Sequence, residues 1–438
     1  MKNLRFGLAF CGVVLVLISS LTPIELSPYA LTLFAALVVL SLDQLNRLAL
    51  SFACAGAAVT LLVFLLDGSM VDLKAAAFIF AFLLVSGSLR TAAQREPTVQ
   101  ALGTSLADSP QRHRFTMISI GIALLSLVLL NGSLQLVAGI FSRKINAPLS
   151  QRLAIMRAMI SGFALNPILS PIAIPFVVIS SLLPSMSWTP LTPYLFACAI
   201  VVWIAGAIQA KATNNGAEHH SEKSASSENV SIRELLVAVL LVLAPVAGTI
   251  FLIAAFGLKP GQAALASIFL SSLIWPVFRL RRPDLIYAGY TVSINEATLV
   301  GSSILLGMTL VGFLPSEYGE SATHLLVASG AAAPALILVF FVVGGMFGIQ
   351  PSICFLLIYA MVASIANPAD VFTAPALAAM IVGWALNSVV TQFGIPVMIV
   401  SEAFGLRSHE FAYRYGIVYL LLSVVGSAVV LALGSMLF

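Results

Sequence analysis

Charge is what this sequence lacks most. Only 9% of its 438 residues are Asp, Glu, Lys or Arg, and 60% are hydrophobic, for a mean hydropathy of +1.06. Soluble domains carry roughly 25% charged residues, so the composition excludes a water-soluble fold and implies an all-α polytopic membrane protein. Cysteine is scarce too. Cys11, Cys54, Cys198 and Cys354 all sit in apolar stretches without CxxC spacing, the pattern of packing residues. Of His113, His219, His220, His324 and His409 only His219 and His220 are neighbours, so no metal-ligand cluster is implied. No phosphate-binding glycine loop, nucleophile elbow or basic, aromatic-bearing soluble face is present. Nucleic-acid binding, a cofactor and enzyme activity are therefore not expected.

What the chain has is apolar stretches of membrane-spanning length, about 20 residues each. Eleven fall at 5–21, 28–42, 47–66, 73–89, 159–184, 191–210, 233–257, 261–280, 285–314, 375–400 and 412–438. The N-terminus has the basic start and apolar core of a signal peptide but no small-x-small site before the next helix, so 1–27 reads as an uncleaved extra span. Two further apolar regions, 115–158 and 323–365, are each interrupted, by Asn131-Gly132-Ser133 and by Gly348-Ile349-Gln350-Pro351-Ser352. Both read as re-entrant helical hairpins, since non-helical backbone at membrane depth must be buried in protein or line a cavity. Trp188, Trp203 and Trp275 read as interfacial anchors. The polar segment 212–231 is the one clear linker, and it divides a first half, 28–211, from a second, 232–438.

The halves repeat. GFALNPILSPIAIPFVVIS (162–180) aligns without gaps on GWALNSVVTQFGIPVMIVS (383–401), with identity at Gly162/Gly383, Ala164/Ala385, Leu165/Leu386, Asn166/Asn387, Ile174/Ile395, Pro175/Pro396 and Ser180/Ser401. Ser170 pairs with Thr391, hydroxyl with hydroxyl. Two apolar helices matching by chance share Leu, Ile and Val; they seldom share Asn and Pro in register. Pro167, Pro171 and Pro175 in such a stretch imply a broken helix, although a proline-kinked packing helix is the alternative for either stretch taken alone.

Positive charge orients the chain. With Lys2 and Arg5 cytoplasmic and each hairpin returning to its own side, all of the 21 basic residues except Lys74 and Lys259 fall inside, among them Arg90 and Arg157, for which contact with an anionic substrate is the alternative to anchoring. The N-terminus is then cytoplasmic and the C-terminus outside, in a bacterial-type inner membrane, and the two halves have inverted topology. Inverted repeats with discontinuous helices at the midplane mark secondary transporters. The candidate binding residues are Asn131, Gly132 and Ser133, with Gln350, Pro351 and Ser352, at the hairpin tips. At the breaks they are Asn166, Ser170 and Pro171, with Asn387, Thr391 and Gln392. Trp384 and Phe163 hold equivalent places beside the breaks. Glu296 is the candidate proton carrier, with a cytoplasmic-end pairing to Arg279, Arg281 or Arg282 as the alternative.

Two hairpins, two broken helices and inverted halves resemble the ion transporter superfamily, whose divalent anion/sodium symporters carry Ser-Asn-Thr at each tip. Here the tips read Asn131-Gly132-Ser133 and Gln350-Pro351-Ser352. The resemblance implies a homodimer, elevator-like alternating access and a substrate range of carboxylates, sulfate or arsenite, with sodium/proton antiport also within the family. The expected function is secondary active transport of a small, carboxylate-type anion coupled to sodium or protons. A cation/proton antiporter or oxyanion exporter is the nearest alternative. A polytopic membrane enzyme or assembly subunit is the remote one, since the outer loops are short and contain little Arg, His or Asp.

Overall fold

The computed structural model describes residues 2–67, 73–107, 113–141, 148–183, 186–214, 232–311, 316–363 and 366–437. Among them every regular element is helical. The first half runs α1 (Lys2–Leu21), α2 (Ser27–Leu40), α3 (Arg47–Asp67), α4 (Lys74–Arg95), α5 (Pro97–Ala107), α6 (Arg114–Leu129), α7 (Asn131–Phe141), α8 (Leu149–Leu169), α9 (Ile174–Leu182) and α10 (Thr192–Asn214). The second runs α11 (Ile232–Phe256), α12 (Pro260–Ile274), α13 (Asp284–Val311), α14 (Ser316–Ala328), α15 (Ala333–Met346), α16 (Pro351–Ala363), α17 (Pro368–Val371), α18 (Ala374–Val390), α19 (Ile395–Ala403) and α20 (Ile417–Leu437). π-helical turns at Trp275–Arg279 and Glu410–Tyr415 follow α12 and precede α20. Most of the polar linker predicted at 212–231 lies outside the described residues.

Eight spans meet the length and apolarity needed to cross a bilayer, and a ninth does if α14 and α15, bent by 106°, count as one. Eleven were expected. The other three expected spans correspond to α2, α3 and α13. Helix α2 has only 14 residues. Helix α3 has 21 residues and stays apolar as far as Asp67. Helix α13 has 28 residues, ample length, but Thr291, Ser293, Asn295, Glu296, Thr298, Ser302 and Ser303 dilute its hydropathy. The hairpin bounds also shift. The arms are α6–α7 and α15–α16, and 149–158, expected in the first hairpin, belongs to α8.

Burial sorts the helices into a centre and a rim. The apolar stretches of α4, α8–α9 and α18–α19 are 94%, 83% and 89% buried, whereas those of α1, α11 and α20 are 28%, 22% and 28% buried. The rim exposes Leu236, Leu240, Ile250, Phe251 and Phe256 on α11 and Leu421, Val425 and Met436 on α20. Leaving each such side chain in water forgoes about 1.5–3 kcal/mol, so these faces suit a lipid solvent. Trp203 and Trp275 are not free interfacial anchors. Their indole N–H groups donate inward, to Ser119 Oγ at 3.0 Å and to Glu96 Oε2 at 3.1 Å.

The centre is held by close helix crossings. Among the described residues, helices α4 and α13 make the most extensive contact. A Cβ on Gly87 would lie 1.3 Å from Ser293 Oγ, and one on Gly289 would lie 2.1 Å from Ser88 Cα. Only small residues permit such an approach. One turn beyond this crossing, α4 carries Arg90 and α13 carries Glu296.

Candidate functional site

The two broken helices contain the same turn. Helices α8 and α18 end at Leu169 and Val390, and α9 and α19 run 174–182 and 395–403, a constant displacement of 221 residues. Ser170 and Thr391 both have φ −112°, and Ala173 and Gly394 have φ −70° and −69°. Ala173 N–H donates to Ser170 O at 3.2 Å, and Gly394 N–H donates to Thr391 O at 3.1 Å. Pro175 and Pro396 then occupy the first turn of the following helix, where a missing N–H is harmless and the fixed φ is already helical. The paired prolines therefore start the second helix at each break, whereas Pro167 stays inside α8.

The paired asparagines do equivalent work. Asn166 Nδ2 donates to Ser126 O on α6 at 3.0 Å, and Asn387 Nδ2 donates to Phe341 O on α15 at 2.7 Å. Each ties a broken helix to the first arm of its hairpin. The paired glycines serve the same crossings: a Cβ on Gly162 would meet Ser119 O at 2.2 Å, and one on Gly383 would meet Phe341 Cβ at 2.8 Å. Asn387 Nδ2 also reaches Ile349 O in the second tip at 3.3 Å. The tips turn on left-handed residues, Leu130 at φ 48° and Gly348 at φ 79°. Glycine takes that conformation freely, whereas leucine is strained there, by roughly 1–3 kcal/mol.

Both tips and both breaks meet at one cavity with about 130 Å³ of room for water-sized molecules, well above the ~10–15 Å³ that one water requires. Of the predicted residues, Asn131, Asn166, Gln350, Pro351, Ser352, Asn387, Thr391 and Glu296 line it, and so do Phe163 and Trp384. Gly132, Ser133, Ser170, Pro171 and Gln392 do not. Gly132 packs on α4, where a Cβ would meet Gln94 Nε2 at 2.6 Å and Arg90 Cδ at 2.8 Å. Ser133 Oγ donates to Leu130 O at 2.7 Å, and Ser170 Oγ accepts from Ile172 N–H at 3.3 Å. These hydroxyls satisfy turn backbone and do not face a ligand. Pro171 and Gln392 lie in the break turns, half-buried and outside the lining.

Four helix N-termini border this space, because Asn131, Ile174, Pro351 and Ile395, the first residues of α7, α9, α16 and α19, all line it. First-turn N–H groups lack intrahelical acceptors, and the helix dipole places partial positive charge there. Asn166 Oδ1, buried in the same wall, has no hydrogen-bond partner.

Among the described residues, Glu296 is the one ionisable side chain in the lining. Its carboxylate accepts from Arg90 Nη1 through Oε1 at 2.9 Å and Oε2 at 3.0 Å, and from Asn131 Nδ2 at 3.3 Å. Arg90 Nη2 reaches Ser293 Oγ at 3.4 Å. The cytoplasmic-end pairing considered for Glu296 is not what forms, since Arg279 binds Glu96 and Arg282 binds Asp284. Arg90, assigned from sequence to a cytoplasmic end, is instead buried beside the cavity with its side chain 5% exposed. Sequence reading also missed Ser303 on α13, whose Oγ lies 2.7 Å from Ser352 Oγ of the second tip. Glu296 and Ser303 are seven residues apart, hence on one helix face, and that spacing was the available signal. Compared with known proteins, the chain matches no family model and no curated sequence.

Proposed function

We propose that this chain is a secondary active transporter for a small anion of carboxylate type, coupled to sodium or protons. The observation that supports it most is the convergence of four helix N-termini on one cavity whose single acidic side chain is already neutralised by Arg90. Helix N-termini hold anions through backbone N–H groups and the dipole. The ends of α8 and α18 at the same cavity offer carbonyls to a cation. In this reading the two hairpins are re-entrant, the halves are inverted about the membrane plane, and α2, α3 and α13 complete eleven spans. The hairpins and broken helices move as a core against the remaining helices, as in the ion transporter superfamily that the sequence resembles, and two copies form a homodimer.

Glu296 favours one second reading, cation/proton antiport, in which its carboxylate binds metal ion and proton in turn. Arg90 at 2.9 Å weighs against it by repelling a second cation. Uptake into proteoliposomes separates the two. Accumulation of a labelled carboxylate, sulfate or arsenite under an imposed sodium or pH gradient supports the anion transporter. Sodium-driven proton movement without uptake of any of these anions supports the antiporter.

A further inference from the structure

The Arg90–Glu296 pair is built in a way that leaves it open to exchange. Arg90 grips both carboxylate oxygens through one nitrogen, Nη1, while Nη2 holds only the 3.4 Å contact to Ser293. A fork-to-fork pair would use both terminal nitrogens and would be stronger. Glu296 lines the cavity and Arg90 does not. An anion entering from the cavity therefore meets a negative group that covers the positive one.

Arg90 is the charged side chain facing Glu296. Helices α7 and α16 carry no Asp, Glu, Lys, Arg or His; α3 has Arg47 and Asp67 at its two ends; on α1, Lys2 is terminal and Arg5 pairs with Asp43 at 2.7 Å. On α4, Lys74 pairs with Glu25 and Arg95 lies in the last turn. On α13 itself Asp284 is paired with Arg282 at the exposed end, and Tyr287 and Tyr290 lie below Ser293. The turn Trp275–Arg279 contributes Arg279, which is bonded to Glu96.

Resting on the anion-transporter reading, we propose that Glu296 and Arg90 form a proton-for-anion exchange switch, so that the coupling ion is a proton and the substrate's carboxylate or oxyanion takes the place of Glu296 on Arg90. The anion's oxygen accepts from the Arg90 guanidinium as the two bonds from Nη1 to Glu296 break. Glu296 is left with the 3.3 Å bond from Asn131 Nδ2 and no cationic partner, half-buried beside a negative ligand. Such a charge is neutralised by taking a proton from water rather than kept. The balance is simple. The empty site holds one positive and one negative group; the loaded site holds Arg90, a neutral Glu296 and a monoanion. Both sum to zero, so neither state carries net charge through a low-dielectric interior. Anion and proton binding must then strengthen one another reciprocally.

Titration calorimetry on the full-length purified protein tests this, with the monoanions lactate, acetate and nitrate as probes, in two buffers of different ionisation enthalpy, at about pH 5.5 and about pH 8. Wild type should take up about one proton per anion bound, its affinity falling roughly tenfold per pH unit on the alkaline side. Glu296→Gln should bind without proton uptake, independently of pH, and at least ~10-fold tighter than wild type at the higher pH. The double variant Arg90→Gln/Glu296→Gln leaves no buried charge unpaired and should lose at least ~10-fold in affinity at both pH values. Anion binding by wild type without proton uptake overturns the inference, as does proton uptake that persists in Glu296→Gln or a double variant that binds like wild type. In those cases the transporter reading stands, with sodium as the coupling ion where sodium is required for binding. If no probe binds wild type or Glu296→Gln at either pH, the anion-site reading itself falls and this inference with it.

Discussion

Single side chains carry most of the chemistry, and the asparagines were the most legible of them. Asn166 and Asn387 stood out because an amide recurs in register between two apolar stretches, where a chance match would share Leu, Ile and Val. In the structure both line the cavity and both bond a carbonyl of the neighbouring hairpin arm. Arg90 was legible only in part, as a cytoplasmic anchor or a contact for an anionic substrate, and only the fold brings it to Glu296, 206 residues away. Removing either asparagine amide deletes its bonds to those carbonyls, at about 0.5–1.5 kcal/mol each, although Ser126 O keeps its bond from Leu130 N–H at 3.1 Å. Asn387→Ala should lower the denaturation midpoint in detergent more than Asn166→Ala, since Asn387 serves two carbonyls, Phe341 O and Ile349 O. Leu130 offers a second check. Its φ of 48° is strained for any side chain, so Leu130→Gly should be more stable than Leu130→Ala by ~1 kcal/mol, the reverse of the usual order inside a chain.

At the scale of elements, the breaks were read correctly from proline and the repeat, while the connections were not. Helices α5 and α14 escaped notice because they are short and weakly apolar, yet each packs on the second arm of the hairpin in its own half. The bounds of the first hairpin were misjudged because α8 starts at Leu149 with polar and basic residues, Ser150, Gln151 and Arg152, that do not look like a buried helix. The α4–α13 crossing carries a prediction. Gly87→Val and Gly289→Ala each force the two backbones apart and should destabilise by about 1–3 kcal/mol or more. Gly7→Ala on α1, with nothing within 4 Å of the added carbon, should instead gain about 0.5–1 kcal/mol. Thermal midpoints of the three variants measured side by side give the comparison. A Gly87 variant that melts like wild type contradicts the close crossing.

For the whole molecule, composition dictated the class: every regular element is helical, and eight helices among the described residues are long and apolar enough to span. Counting apolar stretches treats every span as lipid-facing. Buried helices such as α13 trade hydropathy for the polar face that the site needs, and short ones such as α2 sit beside longer neighbours. The rim should behave as a lipid-facing surface. Ile250→Lys on α11, exposed but apolar, should raise the apparent free energy of membrane insertion by about 2.5–3.5 kcal/mol, read as the inserted fraction in a translocon assay; in a water-facing helix the same change would be nearly neutral.

The claim on which the functional reading turns is that the central cavity holds an anion. Thermal stabilisation of the purified protein tests it most directly, across carboxylates, sulfate, other oxyanions and amino acids, each with and without sodium and at two pH values. A ligand bound only by the folded state raises the melting temperature by mass action, by an amount equivalent to about 2.7 kcal/mol at a hundredfold excess over its dissociation constant. The expected result is stabilisation by at least one anion, lost in Asn166→Ala and Asn387→Ala. Stabilisation by metal cations alone, abolished in Glu296→Gln and indifferent to every anion, would contradict it.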